Sequence, residues 1–344
     1  MLRKNVKEKS AVIMNILNFI LLIVVVLLAA IFVFQYFKKI KIAKQRHEIK
    51  TAFDKLVPAK FQEAENLKQE AEKLSAELDK KQKSLNTLKD ETMSSLRYAR
   101  RIQEAAFTQD SELLKIFPEA FIYTLTHSTV SGDFYKAFEI QNFKVFALAD
   151  CAGHGIPGGF LTMLGISILK EQLSERYTDE MIHTSEILEK MRESIISSLN
   201  SGQGNSESIN DGLNITLVAF NKNNDNLLFS GANQHLYIFS GGKINILKGD
   251  KIPVGWSMKG NLPFTEQSCE IKKGDMVFFT TDSLQSQFGG DKDQKFGSKR
   301  LEKMFEEIGQ FSALEQKKYI GSTVEQWVKG HIQVDDISLA GIRI

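Results

Sequence analysis

Apolar and polar positions fall into three successive textures along the chain. From Ala11 to Phe34 the run carries no charge, and Asn15 and Asn18 are its only polar members. At 1.5 Å of rise per residue such a run exceeds the roughly 20 residues that cross a bilayer. The pattern predicts a transmembrane helix over 11–37 behind a short N-terminal segment, 1–10. A cleaved signal would have a shorter apolar stretch, of about 7–15 residues, and a small-residue cleavage site. Five basic residues between Lys38 and Arg46 follow the run and four between Arg3 and Lys9 precede it, so the positive-inside rule narrowly favours a cytoplasmic C-terminal side.

The second texture, 38–107, is charge-rich, and Pro58 within it is expected to break or start a helix. From Leu67 apolar residues step by four and three: Leu67, Ala71, Leu74, Leu78, Leu85, Leu88, Ala99 and Ile102. That spacing predicts a heptad seam and a homodimeric coiled coil. Lys81, Thr92 and Ser95 interrupt the seam, so a single solvated helix with i,i+4 charge pairs is the alternative.

In the third texture, short apolar runs are bounded by turn residues, and a domain is expected over 108–344. Strands are predicted at 143–150, 214–221, 226–232, 235–247, 275–282 and 335–344, with "SGGK" at 240–243 as a hairpin turn. Helical spacing predicts a block over 157–200 and a second over about 299–329. This order implies an α+β fold with layered, largely antiparallel sheets.

Composition narrows the functional classes. A 42% hydrophobic content supports a core, and 44 basic against 42 acidic side chains leave a net charge of +2 and no case for nucleic acid as a partner. Two cysteines, Cys151 and Cys269, are too few for a disulfide framework and fit a reducing compartment.

The candidate chemistry lies in aspartates where apolar runs give way to turns: Asp133 in "VSGDFY", Asp150 in "LADCAGHG", Asp282 in "FFTTDS" and Asp335, the first of the pair in "QVDDIS". Strand ends at one rim of a sheet can bring such residues together. Clustered carboxylates repel unless cations neutralise them, and hard oxygen ligands suit Mg2+ or Mn2+. Each taken alone reads as readily as a turn former, and Asp211, Asp250 and Asp275 share the same setting. Gly153, Gly155 and Gly158 satisfy G-x-G-x-x-G, yet the second strand and acidic residue that a dinucleotide site needs are missing downstream. His154 reads as a general acid, a metal ligand or a turn residue.

The blocks "VSGDFY", "ADCAGHGIPGGFLTMLG", "DGLNITL", "SGANQHLYI", "GDKIPVG", "KGDMVFFTTDSLQSQFGG" and "QVDDISL" occur in one order. In that order they resemble the SpoIIE-type branch of the metal-dependent serine/threonine protein phosphatases. The resemblance runs from about Ser95 to Ile344. It implies an αββα sandwich of two antiparallel sheets flanked by helices, with two Mn2+ or Mg2+ ions at one end. It also implies that Asp150 bridges the ions and that the Cys151 carbonyl touches one of them. Asp282 and Asp335 would bind the other ion, and Asp133 would lie in the cluster as a ligand or through water. The glycines would shape the rim. Hydrolysis of phosphoserine or phosphothreonine on a protein by a metal-activated water would follow, with His154 orienting the site or protonating the leaving alkoxide.

The chain departs from the family pattern at Ser283, where glycine is usual, near Gln285 and Ser286, where an acidic residue is frequent, and at Asn214, where aspartate is frequent. The expectation is a single-pass protein of the cytoplasmic (inner) membrane whose catalytic domain faces the cytoplasm and whose residues 11–37 contact lipid. A catalytically silent phosphatase-like scaffold is the alternative.

Overall fold

The computed structural model describes residues 14, 17–32, 46–153, 155–175, 181–200, 211–260 and 262–344. The chain divides into two compact units, Met1–Met93 and Ser94–Ile344. In the first, residues 17–32 form helix α1, and helix α2 (Arg46–Ala106) begins and runs into the second unit. Among the described residues no helix is long and apolar enough to cross a membrane. Of the span expected over 11–37, residues 11–13, 15–16 and 33–37 lie outside the described residues.

Pro58 sits inside α2 and does not end it. A proline in a helix interior removes one amide bond and costs about 3 kcal/mol, which the bonds on either side of it offset. Leu67, Leu74, Leu78, Leu85 and Leu88 are exposed, and Lys81 pairs with Glu77 at 3.0 Å, so polar side chains ladder one side of α2 while the seam leucines face outward.

The second unit is a four-layer sandwich. Helix α3 (Asp110–Ile116) leads into β1 (Ala120–Leu125), β2 (Asp133–Ile140) and β3 (Phe143–Cys151). Helices α4 (Ile156–Glu175) and α5 (Thr184–Asn200) follow. Next come β4 (Gly212–Asn221), β5 (Asn226–Ala232), β6 (Leu236–Ser240), β7 (Lys243–Leu247), β8 (Val254–Gly255), β9 (Gln267–Glu270) and β10 (Met276–Thr280). The chain closes with α6 (Ser283–Ser286), a small ribbon of β11 (Phe288–Gly289) and β12 (Gln294–Lys295), α7 (Ser298–Ile308), α8 (Ala313–Val328) and β13 (Ile337–Arg343).

One sheet has the order β1-β13-β10-β6-β7. The other has the order β2-β3-β4-β5-β9, with β8 added on β4. All of these strand pairs are antiparallel. The hairpin expected at "SGGK" joins β6 to β7, and Gly241 and Gly242 supply the two positive φ angles, 58° and 82°, that its tight turn requires. The stretch expected as one helix over 299–329 is two, α7 and α8, separated around Gly309–Ser312.

Three apolar layers hold the sandwich, and the two-residue period of a strand assigns each side chain to one of them. Along β3, Val145, Ala147, Ala149 and Cys151 pack against α4 and α5, while Phe146 and Leu148 face the other sheet. Phe146 meets Phe279 of β10 at 4.7 Å between ring centroids across the middle layer. Phe278 turns to the outer layer and stacks on Phe305 of α7 at 4.4 Å. Each such ring taken from water contributes roughly 1.5–3 kcal/mol.

Candidate metal centre

The same alternation carries polar residues into the mouth between the sheets. Tyr135 and Ala137 of β2, Leu148 of β3, Phe279 of β10 and Ala340 of β13 belong to the middle layer. Two or four residues along each strand, the matching positions are Asp133, Asp150, Thr281 and then Ser338 and Asp336. The β2–β3 register sets Asp133 directly opposite Asp150, and the β3–β4 register sets Asp150 opposite Asn214. Thr281 Oγ1 donates to Asp133 Oδ2 at 3.3 Å and lies near Ser338, tying one sheet to the other at the site.

The electrostatics show how closely the acids sit. Burial pushes the Asp133 carboxyl well above the usual carboxylate range, and repulsion from Asp150, Asp336 and Asp335 adds to it against a side-chain bond from Ser338. Burial likewise raises Asp150 to about 7, with repulsion from Asp282 and Asp335 and a bond shared with Asp282 adding, and a bond from Asn214 opposing. Asp335 is raised first by burial; its bond from the Asp336 amide opposes the shift, repulsion from Asp336 and Asp282 adds to it, and His127 lowers it. Among the described residues no Lys or Arg pairs with any of these acids.

Of the six residues expected at the site, Asp133, Asp150, Asp282 and Asp335 converge. Asp282 opens the short α6, but its side chain makes no capping bond, so it is not a turn former in the ordinary sense. Asp250 and Asp275, by contrast, accept bonds from the backbone amides of Thr265 and Lys272 and serve turns. Cys151 contributes only backbone on this side: its amide donates to Gly132 O at 3.0 Å, while its thiol is buried toward α4 beside Thr162. His154 lies outside the described residues. Gly153 and Gly155, with φ of 86° and 63°, bend the chain away from β3 in a conformation that side chains disfavour.

Sequence reasoning missed Asp336. It is buried and accepts from His127 N at 2.7 Å and from Gly132 N at 2.6 Å, which fixes the turn that presents Asp133. It also missed Gln103 of α2, whose side-chain amide exchanges two bonds with the Ser131 backbone, at 2.6 and 2.9 Å. The doublet "DD" was the available signal for the first. For the second there was none.

As placed, no three His, Cys, Asp or Glu side chains among the described residues form a group that could hold an ion. The fit to divalent cations rests on the donor set: several carboxylates in mutual repulsion, Asp133 buried and Asp150 and Asp335 partly so, with no Lys or Arg among the described residues paired to them.

A profile of the family described as Stage II sporulation protein E (SpoIIE) matches residues 144–344. The chain belongs to the SpoIIE family. Its fold is similar to that of the SiaA PP2C domain of Pseudomonas aeruginosa, with a TM-score of 0.66 and 26% identity over 75% of this chain and 98% of that one. The PP2C phosphatase domain of SpoIIE from Bacillus subtilis, solved with part of its regulatory domain, superposes with a TM-score of 0.52 at 17% identity over 66% of this chain and 63% of that one. The RsbU and RsbW domains of a Mycobacterium tuberculosis protein give 0.51 at 14%, over 66% and 60%. No curated protein matches the chain. The second unit is therefore a SpoIIE-type phosphatase domain of α+β architecture with antiparallel sheets.

Proposed function

We propose that the chain is an active, metal-dependent serine/threonine protein phosphatase anchored to the cytoplasmic membrane. The observation that carries the activity is the mutually repelling group of Asp133, Asp150, Asp282 and Asp335, delivered by both sheets to one mouth. Two Mg2+ or Mn2+ ions held there would supply a nucleophilic water at neutral pH and offset the charge of the phosphoryl oxygens. Asp150, opposite Asp133 and bonded to Asp282, would serve both ions. Asp336 and the Thr281–Ser338 pair keep the surrounding backbone in register, so the carboxylates meet their ligand with little reorganisation.

Anchoring is supported by α1, where every side chain from Phe19 to Leu27 is apolar and exposed, so the helix is apolar all round. The exposed leucines of α2 suit a parallel copy of the same helix. A phosphorylated cytoplasmic protein is the substrate class we infer.

A second reading, a silent phosphatase-like scaffold, is favoured by Ser283. Its hydroxyl is buried without a partner beside Asp282, at a position where the family pattern usually has glycine. Phosphate release from phosphoserine and phosphothreonine peptides, with and without Mn2+, separates the two. The enzyme reading expects Mn2+-dependent turnover and at least about a 100-fold loss in Asp150→Asn, in line with the stabilisation such centres provide. No turnover by the unaltered chain establishes the scaffold.

A further inference from the structure

Asp335 is delivered by the segment 331–334 between α8 and β13, and that segment has almost no apolar anchorage. Ile332 is 84% exposed and Val334 54% exposed. His331 ties its start to Gly290 O and Asp293, and a side-chain amide holds the rest. Gln287, fully buried, donates from Nε2 to Ile332 O at 2.9 Å and accepts at Oε1 from Val334 N at 3.2 Å. The two bonds reproduce the exchange that a neighbouring strand would make.

The backbone of Gln287 is fixed just as fully. Its carbonyl accepts from Trp327 Nε1 at 3.1 Å and from Phe296 N at 3.0 Å, and its own amide donates to Leu284 O. Gln287 also closes the turn that opens at Asp282, where Ser286 N bonds to Asp282 O at 3.1 Å. One rigid turn thus carries Asp282 at its start and, at its end, the amide that grips the segment leading into Asp335. These two carboxylates repel each other. Gln333 Nε2 reinforces the grip with bonds to Leu125 O at 2.8 Å and Asp335 O at 2.7 Å.

We propose that Gln287 is a positioning residue that sets the spacing of Asp282 and Asp335 and thereby the affinity of the cation those two carboxylates share. The proposal rests on the phosphatase reading above. Removing the amide frees the Ile332–Val334 backbone, lets Asp335 drift away from Asp282 and weakens that ion alone. Asp133 and Asp150 lie on the other sheet; strand register and the Asp336 bonds to His127 N and Gly132 N hold them, so the second ion, and Asp150's share of the first, are kept.

The test is Mn2+ titration of the full chain, unaltered and as Gln287→Ala, followed by calorimetry and by turnover as a function of Mn2+. The expected result is one ion weakened about 10- to 100-fold, the usual effect of losing an outer-shell partner. The second ion is unchanged, and turnover recovers as Mn2+ is raised. Gln287→Glu, which keeps the size but loses both donors to carbonyls, gives the same pattern; if Gln287→Ala does not fold, it and Gln333→Ala decide the matter. Unchanged affinity for both ions in a folded variant overturns the proposal. So does an equal weakening of both ions that merely tracks a lower melting temperature. If the unaltered chain binds no Mn2+, the phosphatase reading falls and this proposal with it, whereas normal binding with insensitive variants overturns the proposal alone.

Discussion

Asp336 illustrates how much one buried carboxylate can organise. It accepts from two backbone amides, that of His127 and the buried one of Gly132. Asp336→Ala takes the acceptor from the buried Gly132 amide, and a buried unsatisfied donor costs about 1–3 kcal/mol. Urea unfolding of the variant is expected to show a loss of that order, together with weakened Mn2+ binding because the Asp133 turn is released. The raised carboxyls lead to a pH prediction. An unfolded aspartate titrates near 3.9, whereas Asp150 in the fold titrates at about 7. Between those values the folded chain holds more protons than the unfolded one, so stability without metal falls as pH rises through the window. Cations compete with those protons, so the thermal shift produced by Mn2+ is expected to be larger at about pH 7.5 than at about pH 5. Equal shifts in scanning calorimetry would contradict it. The four converging aspartates were legible because each sits where a strand-like run meets a turn, Asp150 and Asp282 at its end and Asp133 and Asp335 at its start. Gln287 was not, since its partners lie as far away as Ile332 and no local pattern names it, and the doublet that marks Asp336 says nothing of its distant partner His127.

Among the elements, those read correctly were those with a strong period or a strong turn. The β6–β7 hairpin declared itself through two glycines, and β5 spans the residues expected for it, 226–232. The division of 299–329 into α7 and α8 had a readable signal in "SALE", which forms a capping box: Glu315 N bonds to Ser312 Oγ, and Ser312 N bonds back to Glu315. Ser312→Ala is expected to cost about 1 kcal/mol, checked by denaturant unfolding. Activity at saturating Mn2+ should not move, because the cap is remote from the carboxylates. Strands β1, β2 and β9 escaped notice because each mixes polar with apolar positions. Their strand character comes from the neighbour they pair with more than from their own residues.

For the whole molecule, the exposed seam of α2 makes a prediction separable from catalysis. Leu74→Asp with Leu85→Asp is expected to convert a dimer of the full chain into a monomer in sedimentation equilibrium, while the fold of Ser94–Ile344 is unaffected. A monomer before and after the change would remove the coiled coil from the account. The amino-acid sequence by itself determined the succession of textures, most of the strands and four of the carboxylates, because hydrophobic period and turn chemistry act over a few residues. Only the tertiary structure decided that the β2–β3 register sets Asp133 against Asp150, and that β10 and β13 of the other sheet bring Asp282 and Asp335 to the same mouth. It alone gave Asp336 and Gln287 their amides. Those outcomes depend on pairings between residues far apart in the chain, selected by how three apolar layers pack, and a local pattern carries no information about them.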